Sequence, residues 1–409
     1  MYLLVLFVLF VLFLSNKYVL DNIFLILLAK PRAFSRITPF PNENRCQSLS
    51  AVKTITLKGA FKMKRGEIVS PTIAYETWGT LSSDASNCIF IFTGLSPSAH
   101  ASSSKEDPST GWWEDMVGPN KPIDTNEFFV ICMNSLGSCF GSTGPISFNP
   151  DTNAPYRLSF PVLSVEDIAN AASELLNVLG IDFLHTVIGP SMGGMSALSF
   201  CLLHPLKVKR LISISSAARS SPFSIALRSL QREIIRNDPN WEEGNYDLDG
   251  NGPSNGMRLA RKLGMITYRS ASEWSNRFGR ERTQDKDPKG GAFGIDFEIE
   301  SYLESHANKF IGAFDPNCYL YLSRAMDLFD ASDPDGNLEN SLKKLDLDQV
   351  LVIGVKTDLL FPISQQEELA LALEKYVEDV RLVQLDSIQG HDSFLVDMDR
   401  FRPVVSSFI

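Results

Sequence analysis

Of 409 residues only five are histidine, and no two cysteines are spaced C-x-x-C. The six cysteines, Cys46, Cys88, Cys132, Cys139, Cys201 and Cys318, are scattered through apolar runs with no metal-ligand spacing. They read as buried free thiols, and a disulfide framework does not suit so long a chain. Basic charge is in deficit, with 38 Lys and Arg against 48 Asp and Glu and a net charge of -10. A nucleic-acid partner needs a basic face for its phosphates, so that class is excluded. There is no block of six like charges and no internal repeat, which excludes a charged tail and a solenoid. Asp247 to Gly252 reads like the first half of a calcium loop, but Arg258 stands where the bidentate glutamate belongs. No metal is expected.

What is present begins with an apolar N-terminus, MYLLVLFVLFVLFLSN. Its unbroken run of about thirteen residues is short for a membrane span and suits a signal h-region. No Lys or Arg precedes it, so the usual basic n-region is missing. Residues 30–50 read as a linker, basic at first and then rich in Pro, Ser and Asn. They also fit a cleaved organelle-targeting segment or the flank of an anchor. These alternatives stay open: residues 2–28 are a candidate membrane contact, and the location is cytoplasmic or mitochondrial.

From residue 51 the pattern changes to alternating strands and helices. TITLKGAFKM and VSPTIAYETWG read as a strand pair, and NCIFIFTG, FFVICMN, HTVIG, KRLISISS, QVLVIGV and RLVQL as buried strands. SVEDIANAASELLNVLG reads as a helix capped by Ser164 and ended by Gly180. This alternation implies an α/β fold with a mostly parallel sheet covered on both faces. Residues 217–345 break the rhythm with helical patterns only. The expected organisation is a core of residues 51–216 and 346–409, with 217–345 as a helical insertion roofing the sheet edge.

Gly189-Pro190-Ser191-Met192-Gly193 lies between a strand and a helix, and fits G-x-S-x-G in the context that exposes a nucleophile. Ser191 needs a base. His185 leads into the motif, His204 ends the following helix and His306 sits in the insertion, whereas His391 follows the last strand, where the order Ser, Asp, His puts the base. His100 follows IFIFTG; it either lines the site or is structural. Asp358 comes just after QVLVIGV and is the expected acid. Backbone N–H groups of Met192 and Phe92 are the expected oxyanion donors. These residues imply acyl transfer through an acyl-serine. They do not separate a transferase from a hydrolase.

VIGPSMGGMSAL, RNDPNWEEGNYD, ARKLGMITYRS, DPNCYLYLSRAMDLFD, TDLLFP and GHDSFL occur in the order found in the homoserine O-acetyltransferase family, which the chain resembles over residues 51–409. The resemblance implies an α/β-hydrolase fold with a helical lid and a ping-pong transfer from acyl-CoA to an amino-acid hydroxyl in cysteine or methionine synthesis. It implies small-molecule substrates (acetyl- or succinyl-CoA, serine or homoserine), no further cofactor, and a homodimer. Carried over by motif, Ser191, Asp358 and His391 are the triad, Arg261 and Tyr268 bind substrate, and Asp392 holds its amine. An amino acid needs a cation for its carboxylate and an anion for its amine, which agrees. Pro190 and Arg157 stand where the family has glycine, and SVEDIA lacks the family's arginine. These departures resemble the branch that acylates serine, often from succinyl-CoA. Arg157 is then a candidate partner for a succinyl carboxylate, or a surface arginine. The alternatives in other classes are an esterase or lipase of the same fold, and a membrane-tethered binding module.

Overall fold

The computed structural model describes residues 51–250, 252–283, 291–333 and 336–409. The apolar N-terminus, its linker and Cys46 lie outside the described residues. Eight strands form one sheet: β1 (Lys53–Thr56), β2 (Thr72–Trp78), β3 (Cys88–Phe92), β4 (Phe129–Met133), β5 (Thr186–Pro190), β6 (Arg210–Ile214), β7 (Gln349–Val355) and β8 (Asp379–Leu385). Their spatial order is β1-β2-β4-β3-β5-β6-β7-β8. The pairs β1–β2 and β2–β4 are antiparallel, and the rest of the sheet is parallel.

The run CIFIF shows why these strands are continuously apolar. Successive side chains point to opposite faces, and here both faces are covered. Phe90 and Phe92 enter one core with Val187, Leu211 and Val350. Ile89 and Ile91 enter the other with Ile188, Ile212 and Leu351. The first core is closed by α1 (Val165–Leu179) and α2 (Met192–Leu203), which contribute Ile168, Leu175, Met195 and Phe200. Helix α1 starts where its sequence says it should. Ser164 accepts from the Asp167 N–H, Asp167 caps in return, and Gly180 closes the helix at φ 70°.

The chain then leaves the sheet between β6 and β7. It runs through α3 (Pro222–Arg236), α4 (Ser254–Tyr268), α5 (Ala271–Phe278), α6 (Glu298–Phe310), α7 (Pro316–Leu328) and α8 (Leu338–Leu342). Its ends meet, because the backbones of Arg219 and Asp330 pair as an isolated antiparallel β-bridge and the Ala331 N–H donates to the Ala218 carbonyl at 2.8 Å. After β7 come α9 (Ile363–Leu373), then β8, α10 (Ser393–Val396) and α11 (Met398–Ser406). Phe394, Phe401 and Val405 of the last two helices join Trp113 over the second core. Among the described residues no helix is long and apolar enough to cross a membrane.

One strand expectation resolves differently. TITLKGAFKM and VSPTIAYETWG do not pair along their whole length. Only Lys53–Thr56 and Thr72–Tyr75 pair in the sheet, while Ala60–Met63 and Gly66–Val69 form a hairpin of their own. Gly59 at φ 84° turns the chain out of β1, which separates the two ribbons.

Candidate active site

Strand β5 ends at Pro190 and α2 begins at Met192, so one residue must reverse the chain. Ser191 does this at φ 55° and ψ -123°, a conformation side chains avoid. The turn is tight because its neighbours have no Cβ. One added at Gly189 would lie 2.0 Å from the Gly193 carbonyl, and one at Gly193 would lie 2.2 Å from the Phe92 carbonyl oxygen. The turn thus presses the start of α2 against the end of β3.

Asp358 follows β7 and His391 follows β8, so three parallel strands, β5, β7 and β8, deliver three side chains to one edge. His391 Nε2 is 2.9 Å from Ser191 Oγ, and its Nδ1 is 2.7 Å from Asp358 Oδ2. Asp358 Oδ1 accepts from the N–H groups of Leu360 and Phe361 at 2.8 and 2.9 Å. With that carboxylate ionised, Nδ1 donates to it and Nε2 is left to accept the serine proton. The imidazole stacks on Phe361 at 5.2 Å and meets the edge of Phe394. Burial works against the charged imidazole. The charge and hydrogen bond of Asp358 and the charge of Asp392 outweigh it, and His391 is held above its ordinary value.

A cavity with about 130 Å³ of free space opens over Ser191 and His391. Its walls come from Gly94–Pro97 after β3, from Arg261, Tyr268 and Tyr319 of the helical excursion, and from Asp392. Arg261 lies over the rings of Phe310 and Tyr268 at 4.6 and 5.7 Å, and its Nε is buried without a hydrogen-bond partner. Asp392 accepts from Arg269 Nε at 3.1 Å. A larger groove of about 770 Å³, walled by Leu158, Arg236 and Arg324, contains none of these residues. Its size does not make it the reacting site.

A family model described as the α/β-hydrolase fold matches residues 91–397. A serine O-succinyltransferase of Litchfieldella anticariensis is 56% identical over 361 residues, covering 88% of this chain and 98% of that protein. The chain belongs to the homoserine O-acetyltransferase family of α/β-hydrolase-fold enzymes. Homoserine O-acetyltransferase from Bacillus anthracis superposes with a TM-score of 0.79 at 30% identity, over 87% of this chain and 96% of that one. Esterase E22 superposes almost as well, with a TM-score of 0.78 at 30% identity over 87% and 99%. Backbone similarity alone therefore does not separate transfer from hydrolysis; the sequence likeness does, and the enzyme class is O-acyltransferase.

Within this acyltransferase the residues expected from sequence divide. Ser191, His391, Arg261, Tyr268 and Asp392 all line one cavity, with Asp358 behind the histidine. Phe92 and Met192 are buried at the elbow beneath it. Arg157 is a correction. It does not line the cavity; its guanidinium donates to the carbonyls of Gly244 and Tyr246 at 3.2 and 2.7 Å and lies over the Tyr246 ring. Arg157 therefore ties its own loop to the Gly244–Tyr246 segment, outside the cavity that holds Ser191. His100 also stands outside the cavity, bound to Glu76 and Ser109.

Arg228 was not anticipated. It lines the cavity, donates to Asp327 Oδ1 at 2.7 Å and to Ser220 Oγ at 2.6 Å, and is nearly buried. Asp327 is shared with Arg232 at 2.7 Å, so two guanidinium groups face one carboxylate. The available signal was the placement of Leu227, Arg228 and Gln231 on one face of α3, which puts a cation among residues facing inward. Arg269, the partner of Asp392, was also missed.

Proposed function

We propose that this chain moves a succinyl group from succinyl-CoA to the hydroxyl of serine, through an acyl-enzyme on Ser191. One observation carries the proposal: two guanidinium groups, Arg228 and Arg261, line the cavity that holds the serine. The acyl group and the acceptor each bring one carboxylate, and the acceptor adds an ammonium. Arg228 suits the succinyl carboxylate, Arg261 the serine carboxylate, and Asp392 the ammonium, with Tyr268 beside them. The 56% identity to a serine O-succinyltransferase supports the same donor and acceptor.

On this proposal the transfer runs in two half-reactions. His391 takes the Ser191 proton as Oγ attacks the thioester carbonyl. Backbone N–H groups of Met192 and Phe92 receive the oxyanion. CoA leaves with the proton from His391. The serine hydroxyl then attacks the acyl-enzyme, His391 takes its proton, and O-succinylserine departs as Ser191 is reprotonated. CoA enters as a substrate thioester, and the chemistry asks for no other cofactor. A homodimer, and a membrane or organelle address in residues 1–50, belong to the same proposal; sedimentation and cell fractionation test them.

The deciding experiment mixes the protein with acetyl- or succinyl-CoA and with serine or homoserine. Release of CoA should depend on the acceptor and be fastest with succinyl-CoA and serine. Release indifferent to acceptor would favour hydrolysis, the activity named for esterase E22.

A further inference from the structure

Three ionisable side chains are buried together away from the triad. Glu76 sits on β2 and is almost fully enclosed, and its Oε2 is 2.9 Å from His100 Nδ1. His100 Nε2 lies 2.9 Å from the Ser109 carbonyl, which can only accept. Nε2 therefore carries a proton, and Nδ1 and Glu76 share a second. Asp107 Oδ2 is 4.0 Å from the same Nδ1. Glu76 Oε1 and Asp107 Oδ2 are both buried without a hydrogen-bond partner. Burial works against a charged His100, but Glu76, the Ser109 carbonyl and Asp107 outweigh it and hold the group above its ordinary value. Two carboxylates around one imidazole are costly to bury, so the arrangement calls for a reason.

The reason lies in what the loop around His100 holds. Just before it, Gly94–Pro97 line the catalytic cavity. Ala99 N–H donates to Asn134 at 2.6 Å, Trp112 Nε1 donates to the Ser98 carbonyl at 2.9 Å, and Trp112 N–H donates to the His100 carbonyl. The far end of the loop reaches the opposite part of the site: Trp113 Nε1 donates to the Phe394 carbonyl at 3.0 Å, two residues after Asp392. The loop crosses itself so closely that a Cβ on Gly111 would lie 2.3 Å from the Ala101 carbonyl. We infer that His100, clamped between Glu76 and Ser109, is a positioning residue that fixes the Gly94–Pro97 wall and, through Trp113, the Asp392 segment around the acceptor amino acid. Arg228, suited to the acyl group, stands on α3 and, among the described residues, is held instead by Asp327 and Ser220.

The inference takes succinyl transfer to serine as given. Its test is steady-state kinetics on the full chain, varying serine and succinyl-CoA in turn, for His100→Ala, His100→Asn and Trp112→Phe. The first-turnover burst of CoA counts competent sites and corrects for folded protein. His100→Ala is expected to raise the KM for serine roughly tenfold, with the burst and the KM for succinyl-CoA changed by less than about twofold. His100→Asn keeps a donor towards Glu76 and should recover most of the loss. Trp112→Phe removes the Ser98 tether without touching the charged cluster, and should give the same serine-specific rise. A lowered melting temperature with an unshifted serine KM in both variants makes His100 purely structural and overturns the inference. If His100→Ala fails to fold, Trp112→Phe decides by the same criterion. A wild-type protein that releases no CoA on adding serine sinks the proposed function instead, so the two failures are distinguishable.

Discussion

His391 feels the charges of Asp358 and Asp392 and, against them, that of Arg228, all inside a desolvated site. Burial favours the neutral ring, but the two carboxylates prevail, and the group titrates above the ordinary value of 6.5. A base must be neutral to accept a proton, so the acid limb of kcat/KM should lie above that value. Asp358→Asn should shift the limb down and lower kcat by roughly ten-thousandfold, as a pH–rate series would record. The same raised value adds stability that is fully present below pH 6.5 and is lost as pH rises through the folded value. Ser191→Ala should form no acyl-enzyme with succinyl-CoA, which intact mass spectrometry reads directly. Arg228→Ala leaves Asp327 paired with Arg232 and should cut kcat/KM for succinyl-CoA over acetyl-CoA by roughly tenfold to a hundredfold. The hydrogen-bonded line of Ser191, His391 and Asp358 was legible because Ser191 has a diagnostic flank and His391 a diagnostic place in chain order. Arg228 was not, since an arginine on an amphipathic helix reads as solvated. Arg157 stayed open between two readings because a sequence gives no side-chain direction; it sits at φ 50° and lies over the Tyr246 ring.

At the scale of elements, the elbow between β5 and α2 depends on missing side chains. Gly193→Ala would set a methyl group 2.2 Å from the Phe92 carbonyl oxygen, backbone that is fixed in β3. It should cost at least about 2–3 kcal/mol in urea denaturation and depress acylation together with stability. The cap of α1 is a milder case. Ser164→Ala removes the acceptor for the Asp167 N–H and should cost about 1 kcal/mol. Such boundaries were readable because capping and apolar periodicity are local. The hairpin of Ala60–Met63 with Gly66–Val69 was not, because its separation from β1 depends on Gly59 adopting φ 84°, which a glycine permits without announcing.

For the whole molecule, stability should fall from the centre of the sheet to its edges. Strands β3, β5 and β6 are flanked by partners and buried on both faces, whereas β8 is an edge with half-exposed residues. Hydrogen exchange should therefore be slowest in β3, β5 and β6 and faster in β1 and β8. The parallel sheet was legible as a class from its apolar runs, while its strand order rests on long-range pairing that no local pattern encodes. One residue at the end of a central strand of that sheet also limits how much heat the molecule withstands. Ser191 adopts φ 55° and ψ -123°, nearly the conformation of Gly279 at φ 53° and ψ -123°, where the chain uses glycine. Holding a side chain there costs about 1–3 kcal/mol. Ser191→Gly should thus outlast Ser191→Ala by about 1 kcal/mol, a gain of one to two degrees in melting temperature on the order set by a chain of this size. The living enzyme works below the thermal ceiling its own sequence could reach, and the shortfall has an address.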